Sequence, residues 1–372
     1  MRVALDARMI DHSGIGAAIE GWLEGFEALE RTDRPALTLL GDPARLGDWS
    51  RRLNASVVPF RASIYSLGEQ IAFPPHRGRW DLLHAPHYAY PVFYRGPIVV
   101  TIHDLFHLKY GGPLKAAYQS FFLGRLRARR CPILTVSEHS RGELVERAGF
   151  APPRVTAIPH GVSDSLKPLA QPAAAEPFRR ARGLPERYLL WIGIAQLRKN
   201  LERLLRVLAA LYSQGRLGAP FVLAGLGERD RRRMGDQIAK LGLGGRVHAA
   251  GRFERRDLAA LFAGAIGLVF PSLEEGFGLP PLEAMALDTP AAVSNRPPMN
   301  EICGEAALRF DPTDEVAMAE AICRLESDEA LRRDLVERGR ARVRQFRWPR
   351  AARQLVEAYG RALEELGREK AR

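Results

Sequence analysis

The stretch GLVFPSLEEGFGLPPLEAMAL, Gly267 to Leu287, changes its periodicity twice and in doing so sets the fold class. It opens on GLVF, a short apolar run of the kind that fills a strand buried on both faces. Pro271 stops that run, a loop rich in Glu, Gly and Phe follows, and Pro280 and Pro281 suit the first turn of a helix over PPLEAMAL. Strand, loop, helix is the repeating unit of a parallel α/β sheet.

The same unit recurs in both directions. Towards the N-terminus come YLLWIG with NLERLLRVLAALY, and FVLAG; the first half of the chain offers RVALDA, AAIEGWLEGFEAL, ALTLLG, DLLHAP, PIVVTIHDL and PILTVS. Between the halves, LKPLAQPAAAEPFRRARGLPER is rich in Pro and Ala, has no strand pattern, and reads as an interdomain linker. The expected organisation is one α/β domain over 1–168, a linker over 169–187, a second α/β domain over 188–346, and a C-terminal segment over 347–372. That segment contains an amphipathic helix with Leu355, Tyr359 and Leu363 on one face.

Composition fits this plan. The 372 residues are 46% apolar and 26% charged, the profile of a folded globular chain. No window approaches the roughly 20 unbroken apolar residues of a membrane span, and MRVALDAR reads as a strand rather than a signal peptide. The expected location is therefore the cytoplasm. Cys131, Cys303 and Cys323 lack paired spacing and give neither a disulfide framework nor a zinc knuckle. The net charge of +12 asks for an acidic partner or reflects a free use of Arg. Sequence-specific nucleic-acid binding is argued against by scattered Arg residues and the lack of any zinc finger, RRM or KH signature.

In open parallel sheets ligands bind beyond the carboxyl ends of the strands, so the residues after each apolar run carry the chemistry. Five places qualify. In the opening stretch Glu275 lies in the loop and Glu283 in the first turn of the following helix; the free N–H groups there favour phosphate, and the two carboxylates are good acceptors for vicinal hydroxyls of a sugar or ribose. Helix capping is the competing explanation for Glu283. In WIGIAQLRKN, Arg198 and Lys199 can clamp a diphosphate or form a solvated basic turn. In SGIGAAIEGW, Gly14 and Gly16 open a helix and allow a close phosphate approach, or make a plain turn. In VVTIHDLFHL, His103 can hydrogen-bond a substrate hydroxyl or act as a base; its spacing to His107 suits a metal only on a helix, and the preceding strand makes the segment a loop. In DLLHAPHYAYP, His84 and His87 are structural or face a substrate.

The ordered set SGIG, YSLGEQ, DLLHAPH, VVTIHDL, VSEHSR, IPHGV, IGIAQLRKN, LAG, FPSLEEGFGLPPLEAMA and FDP resembles glycosyltransferase family 4 over nearly the whole chain. The resemblance implies a GT-B fold: two Rossmann-like α/β domains facing a cleft, the first holding the acceptor and the second the nucleotide-sugar. It implies that Glu275 meets hydroxyls of the donor sugar and Glu283 the ribose, with Gly276, Phe277, Gly278 and Leu279 completing the donor loop. It further implies that Arg198 and Lys199 clamp the diphosphate, that Gly16 is a backbone donor to the same phosphates with Gly14 beside it, and that His103 is the partner of the transferred sugar. Phe253, in GRF, falls in the region that edges the nucleobase, and Tyr65, Glu69 and His87 fall on the acceptor side. The last helix, after Trp348, is expected to cross back to the first domain. Two departures stand: His160 replaces a common Asn, and Ile194 a frequent Arg.

There is no D-x-D, so no metal or other cofactor is expected, and the leaving diphosphate is left to cations and a helix N-terminus. The family implies retention of anomeric configuration. YSLGEQIAFP and DLLHAPH resemble the subgroup building bacterial surface polysaccharides, often with GDP-mannose and lipid-diphosphate-linked acceptors at the inner membrane face. The stretch LKAAYQSFFLGRLRARR interleaves apolar and basic residues and reads either as a surface for anionic lipid or as a core-facing helix with a solvated side. A UDP- or ADP-sugar transferase acting on free sugars or sugar phosphates is the rival reading, and a non-catalytic nucleotide-sugar binding protein the outlying one.

Overall fold

The computed structural model describes residues 1–12, 14–74 and 78–370, and the chain forms two compact units. Met1–Ser163 with Phe346–Arg372 make the first, and Asp164–Gln345 the second. Each is a parallel sheet covered by helices.

The first sheet contains β1 (Arg2–Asp6), β2 (Ala36–Gly41), β3 (Ser56–Pro59), β4 (Leu82–Ala85), β5 (Ile98–Thr101), β6 (Ile133–Thr135) and β7 (Val155–Ala157) in the order β3-β2-β1-β4-β5-β6-β7. Val3 stands opposite Leu37 on one side and Leu82 on the other, which fixes the central register. The second contains β8 (Tyr188–Ile192), β9 (Phe221–Ala224), β10 (Val247–Ala249), β11 (Ala265–Phe270), β12 (Ala291–Ser294) and β13 (Leu308–Phe310) in the order β10-β9-β8-β11-β12-β13. The fully buried LLHA, IVVT, FVLA and AAVS segments are why these strands read as unbroken apolar runs rather than alternating ones.

In both sheets the chain reverses its direction of winding between two neighbours, β1 and β4 in the first unit, β8 and β11 in the second. In doubly wound sheets such a reversal is where the carboxyl-edge loops diverge and ligands bind.

The C-terminal helix, Trp348–Lys370, packs in the first unit against the helix Ile15–Glu27. Gly21 and Gly25 make this possible: a Cβ on Gly21 would lie 1.9 Å from the Trp348 ring, and one on Gly25 would lie 2.4 Å from the Trp348 carbonyl. Trp348, Leu355 and Tyr359 join Trp22, Phe26 and Leu39 in one buried core, and Leu363 packs at its edge. Burial of such a face, at about 25 cal/mol per Å² of apolar surface, holds the helix in place.

The stretch 169–187 differs from the expected linker. Pro172–Ala175 form a 3₁₀ turn and Glu176–Ala181 a helix, Ala175 is fully buried, and both pack on the helix Leu258–Ala263. The prolines start these short helices rather than keeping the chain extended, and Phe178 supplies an apolar side chain that seats against Phe253. No helix among the described residues is long and apolar enough to cross a membrane.

Candidate functional site

In the second unit the loops after β8 and β11 are joined by a backbone hydrogen bond, Leu273 N–H to the Arg198 carbonyl, 2.7 Å. That bond brings the two halves of the sequence motif together. Lys199 Nζ lies 2.5 Å from Glu275 Oε1, and Arg198 Nη1 lies 2.9 Å from Oε2, so each carboxylate oxygen accepts from one cation. Lys199 and Glu275 are buried, and the ammonium also sits 4.7 Å from the centroid of the Phe270 ring. Arg198 is further fixed by the Gln196 side chain at 2.9 Å. Burial alone would raise the Glu275 carboxyl, but Lys199 and Arg198 outweigh it and hold the group ionised, below its ordinary range. Two cations against one anion leave a net positive charge for an incoming polyanion, in a setting where water screens little.

Glu283 lies a full turn inside the helix Leu279–Ala286, whose first turn carries no acidic side chain. The expectation that it sits in the first turn is thereby corrected: the helix begins at Leu279, one residue before the prolines, and capping does not explain Glu283. Its carboxylate has no hydrogen bond or ion pair among the described residues, and burial raises its pKa while Arg255 pulls the other way. A half-buried carboxylate with no protein hydrogen-bond donor among the described residues is suited to ligand hydroxyls. Gly278 stands at φ 104° as the helix cap, a conformation that favours glycine, and Phe277 beside it is buried; Gly276 and Leu279 complete the same turn. Phe178 packs on the Phe253 ring at 5.8 Å and the Arg182 guanidinium lies 5.1 Å from its centroid.

In the first unit, His103 follows β5. Its Nε2–H donates to the Pro86 carbonyl at 3.1 Å, which leaves Nδ1 as an acceptor. Burial lowers its pKa to about 4, so the ring is neutral at pH 7 and suits hydrogen bonding better than proton abstraction. His107 lies on a short helix, Phe106–Tyr110, not in the expected loop, and its Nδ1 meets the Tyr88 hydroxyl. No group of three or more metal-ligating side chains occurs among the described residues. His84 is structural: it bonds Thr101 Oγ1 and the Tyr359 hydroxyl of the C-terminal helix, each at 2.7 Å. His160 packs between His103 and Trp348, with ring centroids 5.5 and 5.4 Å away.

His87 Nδ1 accepts the Ala89 N–H at 3.0 Å, so the neutral ring carries its proton on Nε2 and donates it to the Tyr65 oxygen at 2.5 Å. Tyr65 itself stands at φ 62°, in the left-handed region, with its N–H held by Glu69 Oε2 at 3.0 Å. Glu69 is buried and also takes Arg8 Nη2 at 2.6 Å, while Arg8 is held by both oxygens of Asp6. Glu69 therefore positions Tyr65 rather than meeting a substrate. Asp6 and Arg8 were missed in the sequence, although they follow the first apolar run at its carboxyl end, where the strand-end rule points.

Gly16 takes a different role from the one its family resemblance implied. Its N–H donates to the His12 carbonyl at 2.7 Å, and a Cβ there would lie 2.2 Å from the Ile10 carbonyl. It makes a tight turn and has no N–H left for a phosphate, whereas Gly14, at φ 79°, has open space around it.

Two family models match, "Glycosyl transferases group 1" over residues 174–342 and "Glycosyltransferase Family 4" over residues 34–166. The O-antigen chain mannosyltransferase B of Escherichia coli is 30% identical over 295 residues, covering 77% of each chain. The serotype-specific mannosyltransferase WbdA of Escherichia coli is 28% identical over 252 residues, 66% of this chain but 31% of that longer one. Among solved structures, Anabaena HepE in complex with UDP and glucose superposes with a TM-score of 0.77 at 18% identity, covering 97% of this chain and 99% of that one. At that identity the likeness speaks for the fold alone, two Rossmann-like parallel sheets.

Proposed function

This chain belongs to the family 4 glycosyltransferases, and from that membership we propose that it moves mannose from GDP-mannose to a saccharide acceptor, itself lipid-linked, with retention of configuration and without a metal. The observation that carries the donor half is the cluster of Arg198, Lys199 and Glu275, with Glu283, which accepts no hydrogen bond among the described residues, on the helix that follows. Cations fixed before substrate arrives stabilise the charge that grows on a departing diphosphate at little reorganisation cost. Glu283 receives the ribose hydroxyls, and Glu275 turns part of its hydrogen bonding to the sugar.

The step is a front-face displacement. The acceptor hydroxyl forms the new bond to the anomeric carbon on the face the diphosphate leaves, and its proton passes to the departing phosphate oxygen. In the first unit, His103 accepts a sugar hydroxyl through Nδ1, and Tyr65 with His87 meets the acceptor. Mannose is favoured by the mannosyltransferases among the relatives.

A thermal-shift panel of GDP, UDP, ADP and dTDP, alone and as sugar conjugates, tests this, since a ligand bound only by the folded form raises the melting point. Stabilisation by GDP and GDP-mannose supports the mannose donor. Selective response to UDP conjugates replaces it, and no response to any nucleotide overturns the donor site.

A further inference from the structure

A groove of about 380 Å³ opens in the first unit between the loop after β4 and the helix Gly112–Ala128. Its floor is Tyr90 and Tyr94, both buried, and three guanidinium groups line it: Arg95, Arg125 and Arg129. None of the three has a carboxylate partner among the described residues, in a chain whose arginines are extensively ion-paired elsewhere. Arg129 is held by the carbonyls of Tyr94, at 2.5 Å, and Gly96, which fixes a positive fork at the groove wall. The sequence keeps carboxylates away: between Asp104 and Glu138 there is no acidic residue, while Lys109, Lys115, Arg125, Arg127, Arg129 and Arg130 occur. Unneutralised guanidinium groups converging on a concave surface fit a phosphate oxyanion.

What flanks the groove identifies the carrier of that phosphate. Phe93, 72% exposed, projects from the segment that supplies Val92, Tyr94 and Arg95 to the lining. Phe121, 55% exposed, precedes Arg125 by four residues, and Leu114, 85% exposed, precedes Phe121 by seven, so all three share one face of the helix. A dissolved phosphate needs no exposed phenyl rings beside it. A bilayer surface takes both, the rings at the acyl boundary and the guanidinium groups at the headgroups.

We propose that this groove binds the phosphate of an anionic phospholipid headgroup, with Phe93, Phe121 and Leu114 entering the bilayer surface beside it. The lipid-linked reading of the acceptor gives the contact its purpose, but the binding is independent of donor and of transfer.

Co-sedimentation of the full chain with phosphatidylcholine vesicles, with and without phosphatidylglycerol, tests the proposal. The chain should pellet with the anionic vesicles at low salt and be released at high salt. The double variant R95Q/R125Q should weaken binding by roughly fivefold per cation removed, and F93S/F121S should weaken it while leaving the charge intact. Retained nucleotide-induced thermal shifts in both variants keep the donor site's fate separate. Three outcomes overturn the proposal: no pelleting of the wild type, equal pelleting of R95Q/R125Q, or full release from vesicles by millimolar glycerol 3-phosphate, which would assign the groove to a free phosphate ester.

Discussion

The Lys199 ammonium and the Glu275 carboxylate, 76 residues apart in the chain, meet at 2.5 Å in the interior of the second unit. Arg198 shares the same carboxylate, so two cations face one anion. The pairing fixes the Lys199 ammonium in place instead of leaving it to move freely in solvent.

Replacing Lys199 by Met leaves Glu275 with Arg198 alone. Turnover should fall by about 100-fold or more, as for loss of one fixed transition-state donor, and stability should fall by about 1.5–3 kcal/mol for the lost charged hydrogen bond, since Arg198 still pairs the carboxylate. The double variant K199M/E275Q should be more stable than K199M while no more active. Urea unfolding and steady-state rates measure both, and additive stability losses would refute the pairing.

Glu283→Gln separates function from stability. The folded-state pKa of Glu283 is raised, so its ionisation opposes folding and the cost appears as pH rises above the unfolded value. The urea midpoint at pH 7.5 should therefore rise in E283Q, with the gain fading below pH 4.5, while nucleotide affinity falls by about tenfold or more through loss of a charged acceptor. Calorimetric titration with the nucleoside diphosphate checks the second half.

Acid should destabilise the first unit early. His84 and His87 are pushed by burial from 6.5 to about 3, so the unfolded chain takes up protons there before the native one does. Stability is fully present above pH 6.5 and is lost as pH falls towards 3, at about 2 kcal/mol per site by pH 5. A flat stability profile between pH 7 and 5 would contradict this, and H84N should show a shallower profile than the wild type.

Tyr65→Phe removes the hydroxyl that His87 Nε2–H meets and leaves the ring in place. The acceptor KM should rise by about five- to tenfold, the worth of one hydrogen bond of about 1 kcal/mol or slightly more, with the donor KM unchanged. Glu69→Gln should act in the same direction, because it loosens the carboxylate that holds the Tyr65 N–H and Arg8. Initial-rate kinetics with both substrates varied separate these effects from a general loss.

Gly21→Ala should lower the melting point sharply, since its methyl would fall within 1.9 Å of the Trp348 ring. Overpacking of this kind costs about 1–3 kcal/mol. A-priori removal of the ring, as in G21A/W348A, should not restore full stability, because the cavity replaces the clash.

The sequence by itself determined the alternation of strands and helices, the two parallel sheets, the family, and the strand-end positions of Arg198, Lys199, Glu275 and His103. Those follow from local rules: apolar runs mark buried strands, and ligand-binding groups sit just past them. Only the tertiary structure decided who partners whom. Nothing local says that Glu275 is held by both cations, that Glu283 accepts no hydrogen bond among the described residues, that Glu69 serves Tyr65, or that the Gly16 N–H is taken by His12, since each depends on backbone geometry or on residues distant in the chain. The stretch 169–187 makes the same point from composition. Its Pro and Ala read as an interdomain linker, and only the apolar seat against Phe253 and the helix Leu258–Ala263 shows that it folds into short helices of the second unit.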